Sequence, residues 1–244
     1  KNKLLNNFVH LDIKKKIVLS KSKAYIQEFI KQSKKIYSDI IEIHNRPSYV
    51  SAIKMSLNSK IFIYFHNDPL KMKGSTKLIE RINLLKNCDK IIFNSKWCQN
   101  RFFNDLNIEN YLEKTTVIPQ STSIAKINFK KKKKIISFVG KLNTSKGYDA
   151  FGNAIIKILN EFPSWSSVVI GDEPREKLVF KHKNLKLYGF KQNSFVLNIL
   201  KKVSISVVPS RWDEPFGRSS LEASSRGCAL IISNKGGLTE TTRD

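Results

Sequence analysis

An α/β fold built on parallel sheets is what this sequence predicts, and three observations carry the prediction. Short apolar, β-branched runs alternate with segments of helical spacing along most of the chain, the rhythm of parallel strands joined by crossover helices. A length of 244 residues, 41% of them hydrophobic, is enough to bury the core of one or two domains. A polar stretch, residues 120–134, ends in five consecutive lysines and divides the alternation in two.

In the first half, residues 16–20 read as a short strand, and residues 24–36 as an amphipathic helix with Tyr25, Ile26, Phe29, Ile30 and Ile36 on its apolar positions. Residues 40–43 form the next strand, which runs into His44-Asn45-Arg46-Pro47. Pro47 suits the first position of a helix that reaches about Leu57. The wholly apolar strand 61–65 ends at His66-Asn67-Asp68-Pro69. Ser75 reads as the N-cap of a helix over 76–86. The Met72-Lys73-Gly74-Ser75 segment before it suits either a turn or an acceptor loop. A strand at 90–93, a helix from a Ser95 cap through Phe103 and a strand at 117–119 complete this half. In such sheets ligands bind beyond the carboxyl ends of the strands. His44 and His66 lie there, although a lone histidine in that position is more often structural.

The second half opens with a strand at 135–139, the loop Gly140-Lys141-Leu142-Asn143-Thr144-Ser145-Lys146-Gly147, and a helix through Leu159. Strands at 167–170 and 185–188 end in Gly171-Asp172 and Gly189, and residues 193–201 are helical. A strand at 203–208 leads into the turn-rich segment 209–217. Helical spacing then runs over 218–226, Gly227 stops it, and a strand follows at 229–232 before Gly236-Gly237. A Gly loop opening onto a helix start offers backbone N–H groups to an anion. Glu214 stands before that helix and Glu222 inside it. A carboxylate accepts two hydrogen bonds from a vicinal pair of sugar hydroxyls, so the two can face one ligand from two sides. The plain alternative is a pair of glutamates that solvate a helix face.

The run E-P-F-G-R-S-S-L-E, with G-G-x-x-E downstream, resembles the two-glutamate motif of the retaining family 4 glycosyltransferases, which have the GT-B fold. The Gly140–Gly147 segment resembles that family's G-R-L-x-x-x-K-G loop, with Lys141 where the family usually has Arg. Both are cations, but lysine lacks the bidentate fork. The resemblance implies two facing Rossmann-like domains with parallel sheets, both incomplete here. Residues 1–122 would be the acceptor-side domain without its N-terminal part, 123–134 a linker, and 135–244 the nucleotide-sugar donor-binding domain without its C-terminal end. Such a fragment is not expected to turn over alone.

The implied reaction moves a hexosyl group from a nucleotide-diphosphate sugar to a hydroxyl acceptor with retention of configuration. Glu214 and His66 would serve the donor sugar as catalytic residues. Gly140, Lys141, Lys146, Phe216, Gly217, Arg218, Ser219 and Glu222 would bind the donor, with Glu222 on the ribose, and His44 and Arg46 would face the acceptor. The 185–189 loop would put Phe190 and Lys191 near the nucleobase. A cell-envelope acceptor such as lipopolysaccharide, a cytoplasmic location and peripheral association with the inner face of the plasma membrane follow from family habit and charge.

The sequence carries 44 Lys and Arg against 20 Asp and Glu, a formal net charge of +24. No recognised nucleic-acid module accompanies that charge, so nucleic acid is not expected as a partner. Its cause is either attraction to an anionic membrane or an AT-rich genome, which would also account for the abundance of Lys, Asn and Ile. No apolar run is long enough for a transmembrane helix. Three cysteines without metal-ligand spacing read as reduced thiols. No D-x-D pair is present to hold a divalent cation on a diphosphate, so neither metal nor other cofactor is expected. A nucleotide-sugar epimerase on the same fold and a non-catalytic basic protein binding nucleic acid or membrane are the competing classes. The first would form product without an acceptor, and the second would not need Glu222.

Overall fold

The structure, a computed structural model, describes residues 20–242. It divides into two compact units. One comprises the residues up to Phe93 together with Arg101–Thr116; the other comprises Asn94–Asn100 and everything from Val117 onward.

The first unit holds strands β1 (Ile40–His44), β2 (Lys60–Phe65), β3 (Lys90–Phe93) and β4 (Thr115–Val117), ordered β1-β2-β3-β4. The β1–β2 and β2–β3 pairs are parallel. Helices α1 (Lys21–Ser33), α2 (Val50–Ser56) and α3 (Leu78–Asn87) alternate with the strands; α4 (Lys96–Phe102) follows β3 in sequence, and its residues up to Asn100 are grouped with the second unit. Ile61, Ile63 and Phe65, every second residue of β2, are fully buried. Each such side chain contributes roughly 1.5–3 kcal/mol. Phe65 stacks on Phe93 across the sheet, ring centres 5.6 Å apart.

Local chemistry moves several boundaries. The strand predicted at 16–20 lies outside the described residues apart from Ser20. That side chain accepts the Lys23 N–H at 3.4 Å and starts α1 at Lys21. Ser75 is not an N-cap. It is fully buried, and its hydroxyl donates to the Pro69 carbonyl at 2.6 Å, closing the preceding turn. Glu80 instead accepts the Lys77 N–H at 3.0 Å from within α3, so the helix begins later than predicted.

The second unit holds β5 (Lys133–Val139), β6 (Ser166–Ile170), β7 (Leu185–Leu187), β8 (Val203–Val208) and β9 (Ala229–Ile232) in a parallel sheet ordered β7-β6-β5-β8-β9. Phe138, Phe151, Ile155 and Leu159 pack α5 (Tyr148–Glu161) onto it in one core. A second core joins Val168 and Ile170 to Val196 and Leu200 of α6 (Asn193–Leu200) and Ala223 of α7 (Arg218–Ser224). The strand order reverses between β5 and β8. A doubly wound sheet opens its ligand crevice at that reversal.

The lysine run does not lie wholly in the linker, because β5 begins inside it at Lys133. Lys132 Nζ donates to the carbonyls of Leu200, Val203 and Arg226 at 3.1, 2.6 and 2.7 Å. All three cysteines are buried. Burial, aided by Asp89, pushes the Cys88 thiol up to about 12. Among the described residues no helix is long and apolar enough to cross a membrane.

Candidate donor and acceptor sites

Each side of the strand reversal carries one predicted motif. After β5, Asn143 folds the loop onto itself: its side-chain oxygen accepts the Lys146 N–H and the Ser145 hydroxyl, both at 3.0 Å. Gly147 follows with φ +72°, and a Cβ there would lie 1.9 Å from the Pro209 carbonyl oxygen. The loop after β5 can therefore lie against the loop after β8 only with glycine at this point. Two further bonds join the loops, from the Arg211 and Trp212 N–H groups to the Ser145 carbonyl at 2.9 and 3.1 Å. This brings Lys146 Nζ to 2.6 Å from Glu214 Oε1. Both side chains are sheltered, Glu214 the more deeply.

The loop after β8 ends at buried Phe216 and at Gly217, φ +103°, where a Cβ would meet Leu238 Cδ1 at 2.4 Å. Ser219 lies in the first turn of α7, half-buried. Ser220 fixes the start of α7, with bonds to the Gly217 carbonyl at 2.7 Å and to the Thr241 hydroxyl at 2.6 Å. Glu222 is buried one turn on. Its Oε1 accepts from Asn193 Nδ2 at 2.9 Å and from Arg218 at 3.1 Å. Glu240, of the downstream G-G-x-x-E, accepts the N–H groups of Lys96 and Trp97, both at 2.8 Å.

A cavity of about 540 Å³ opens at the carboxyl ends of β5 and β6, lined among others by Gly140, Lys141, Glu173, Arg175, Phe190 and Lys191. Lys141 thus faces this cavity together with Phe190 and Lys191, the pair expected near a nucleobase. The Glu173–Arg175 pair was not anticipated. The Arg175 guanidinium forks onto both carboxylate oxygens at 2.7 and 2.8 Å and holds the Glu173 carboxyl down at about 2, with Lys141 adding a smaller pull. Its signal was present in Asp172-Glu173-Pro174-Arg175, which leaves the carboxyl end of a strand. Asn193 was also missed; being the first residue of a helix gives no hint of a partner 29 positions away.

In the first unit His44, Arg46 and Lys73 line a separate polar cavity of about 600 Å³. His44 Nδ1 and His66 Nε2 lie 2.8 Å apart. Two histidines predicted separately are therefore one pair. Glu214 and His66 belong to different units.

The second unit is thus a doubly wound parallel sheet with a cation–carboxylate pair at its crevice. The chain belongs to the glycosyl transferases group 1 family, whose model matches residues 119–244. It is 25% identical over 239 residues to the putative glycosyltransferase YtcC of Bacillus subtilis (strain 168), covering 84% of this chain and 58% of that protein. It is 29% identical over 112 residues to the 2-deoxystreptamine N-acetyl-D-glucosaminyltransferase of Niallia circulans, covering 43% of this chain and 28% of that one. The chain spans about half the length, or less, of the curated relatives it matches. Among solved structures, Anabaena Alr3699/HepE in complex with UDP-glucose superposes with a TM-score of 0.69 at 15% identity, covering 90% of this chain and 65% of that one. A glycosyltransferase from Rickettsia africae ESF-5 gives 0.67 at 18% identity, over 90% and 64%. The fold is GT-B, with two sheets of parallel strands.

Proposed function

We propose that this chain is part of a retaining glycosyltransferase that moves a hexosyl group from a nucleotide-diphosphate sugar to a hydroxyl acceptor. The observation that carries the reading is the Lys146–Glu214 pair at the β5/β8 reversal, where the two loops that the family resemblance assigns to the donor meet. Family membership supports the reaction class, and the UDP-glucose bound by HepE makes a uridine donor the first to try.

Glu222 holds the ribose hydroxyls, steadied by Asn193. Glu214 holds hydroxyls of the donor sugar and faces positive charge developing at its anomeric carbon. Lys141, Lys146, Arg218 and the backbone N–H groups around Gly217–Ser219 balance the charge that grows on the departing diphosphate, the electrostatic contribution that usually dominates such catalysis. The departing phosphate oxygen takes the acceptor proton on the same face, which preserves the configuration. His66 contacts the sugar, and His44 and Arg46 face the acceptor. Cationic side chains supply the charge that a divalent ion would otherwise bring. The net charge supports a cytoplasmic enzyme that meets an anionic membrane peripherally and glycosylates a cell-envelope lipid or polysaccharide.

The test is a thermal-shift screen of the full-length protein with UDP, GDP, ADP and their sugar conjugates, with and without EDTA. A ligand that binds only the folded state raises the melting temperature. A rise with one nucleotide that EDTA leaves unchanged is expected. No rise with any, or a rise abolished by EDTA, overturns the metal-free donor site.

A further inference from the structure

The carboxyl ends of β1 and β2 hold more than a pair of candidate histidines. His44 stands opposite Tyr64 in the strand register. Tyr64 stacks on His66 with ring centres 4.2 Å apart and planes 7° from parallel. The His66 N–H donates to Asn45 Oδ1 at 2.7 Å, and Asn45 holds the left-handed conformation, φ 53°, that carries its side chain there. The His66 backbone and ring are thus each tied down. On the far side of His44, its Nε2 lies 3.4 Å from Glu42 Oε1. Glu42, His44 and His66 form a line.

Proton arithmetic along that line is restrictive. A 2.8 Å separation between His44 Nδ1 and His66 Nε2 requires one proton between them. Two neutral arrangements satisfy it: both rings protonated at Nε2, or both at Nδ1. The carboxylate of Glu42 selects the first, because only then does His44 turn an N–H toward it. When the pair takes up one proton, a single proton still lies between the rings, and in either placement of the charge His66 carries a proton at Nδ1. A second proton would set two N–H groups against each other at 2.8 Å. The pair therefore titrates as a unit.

We infer that Glu42 and His44 are positioning residues behind His66, forming a relay in which Glu42 fixes the tautomer of His44, His44 fixes that of His66, and the two rings share one additional proton. Without any movement of the ring, Nδ1 of His66 changes from acceptor to donor when that proton arrives. The charges around the pair set its balance. Burial of His66, and then His44, hold the His66 ring below the ordinary histidine range, while Glu42 opposes them. Arg46, Lys71 and Lys73 line the cavity that His44 enters. Tyr64 stacks as a neutral ring, its own ionisation pushed up by burial and by Glu42. The catalytic meaning of the relay rests on the proposed contact between His66 and the sugar; the relay itself does not.

The experiment is a ¹⁵N titration of the full-length protein labelled at histidine, with His10, His44, His66 and His182 assigned by single substitutions. His66 is expected as the Nε2–H tautomer at high pH. Glu42→Gln removes the counter-charge and lowers the His66 midpoint by about half a pH unit, a value reduced for the exposure of the pair. His44→Gln keeps an acceptor oxygen but cannot be charged, and raises the midpoint. Glu42→Ala repeats the first result without a new amide. A Nδ1–H tautomer in the wild type, or a His66 midpoint that neither Glu42 variant moves, overturns the relay. The pH profile of kcat/KM forms a separate arm. A midpoint shift in the spectra with no matching shift in the profile upholds the relay and overturns the assignment of His66 to the sugar.

Discussion

Lys146 Nζ lies 2.6 Å from Glu214 Oε1 although 68 residues separate them. The contact joins the loop after β5 to the loop after β8. On the proposed reading the lysine exchanges this carboxylate for donor phosphate. Lys146→Ala should weaken donor binding about 10–100-fold, the worth of one charge-assisted hydrogen bond. Glu214→Gln should leave nucleotide binding near normal and lower kcat. Calorimetry with the nucleotide diphosphate, alongside steady-state kinetics of the full-length enzyme, separates the two.

Glu222 is buried and held from two sides, by Asn193 and by Arg218. Glu222→Ala should lower donor affinity by a factor on the order of 100, since a carboxylate holding two hydroxyls is lost. Asn193→Ala should cost less, because Arg218 still reaches the carboxylate. An unchanged dissociation constant for Glu222→Ala in calorimetry would sink the ribose assignment and favour a non-catalytic binding protein.

Gly147 is needed for its backbone. Alanine there would carry a left-handed φ and a Cβ 1.9 Å from the Pro209 carbonyl oxygen. The left-handed conformation alone costs roughly 1–2 kcal/mol, and relieving the clash adds to it. Gly147→Ala should lower the urea midpoint and loosen the loops after β5 and β8 together. Hydrogen exchange at the Arg211 and Trp212 N–H groups would report the second effect, since both donate to Ser145.

The Arg175 guanidinium holds Glu173 at about 2, down from an ordinary 4.5. A folded-state value below the unfolded one stabilises the fold above the unfolded value. The contribution is lost as pH falls from about 4.5 toward about 2. Arg175→Gln should return the Glu173 midpoint toward 4.5 in a carboxyl-carbon NMR titration. It should also remove this residue's share of acid sensitivity within that window.

The two-sheet plan was legible because strand and helix periods alternate cleanly, and because β2 and β8 are apolar runs flanked by turn residues. The loops after β5 and β8 were legible as turns because Gly and charged residues recur there between a strand and a helix. What escaped depended on partners distant in sequence. Ser75 has the composition of a cap, yet its buried hydroxyl is claimed by Pro69. Asn193 acquires its role only when α6 packs beside α7. His44 and His66 were each visible at a strand end. Their pairing required the parallel register that sets β1 beside β2.

By composition, residues 130–134 are five interchangeable lysines. In the folded chain they are not interchangeable, because the ammonium group of Lys132 meets three carbonyl oxygens. An ammonium group has three tetrahedral donors that suit such a set, whereas a planar guanidinium does not. An exchange to arginine, neutral at most surface lysines, would here leave carbonyls facing a group of the wrong shape. Acylating reagents should likewise find Lys132 the slowest of the run. A tract that looks like compositional drift therefore contains one position under geometric constraint, which ties the start of β5 to the ends of α6 and α7.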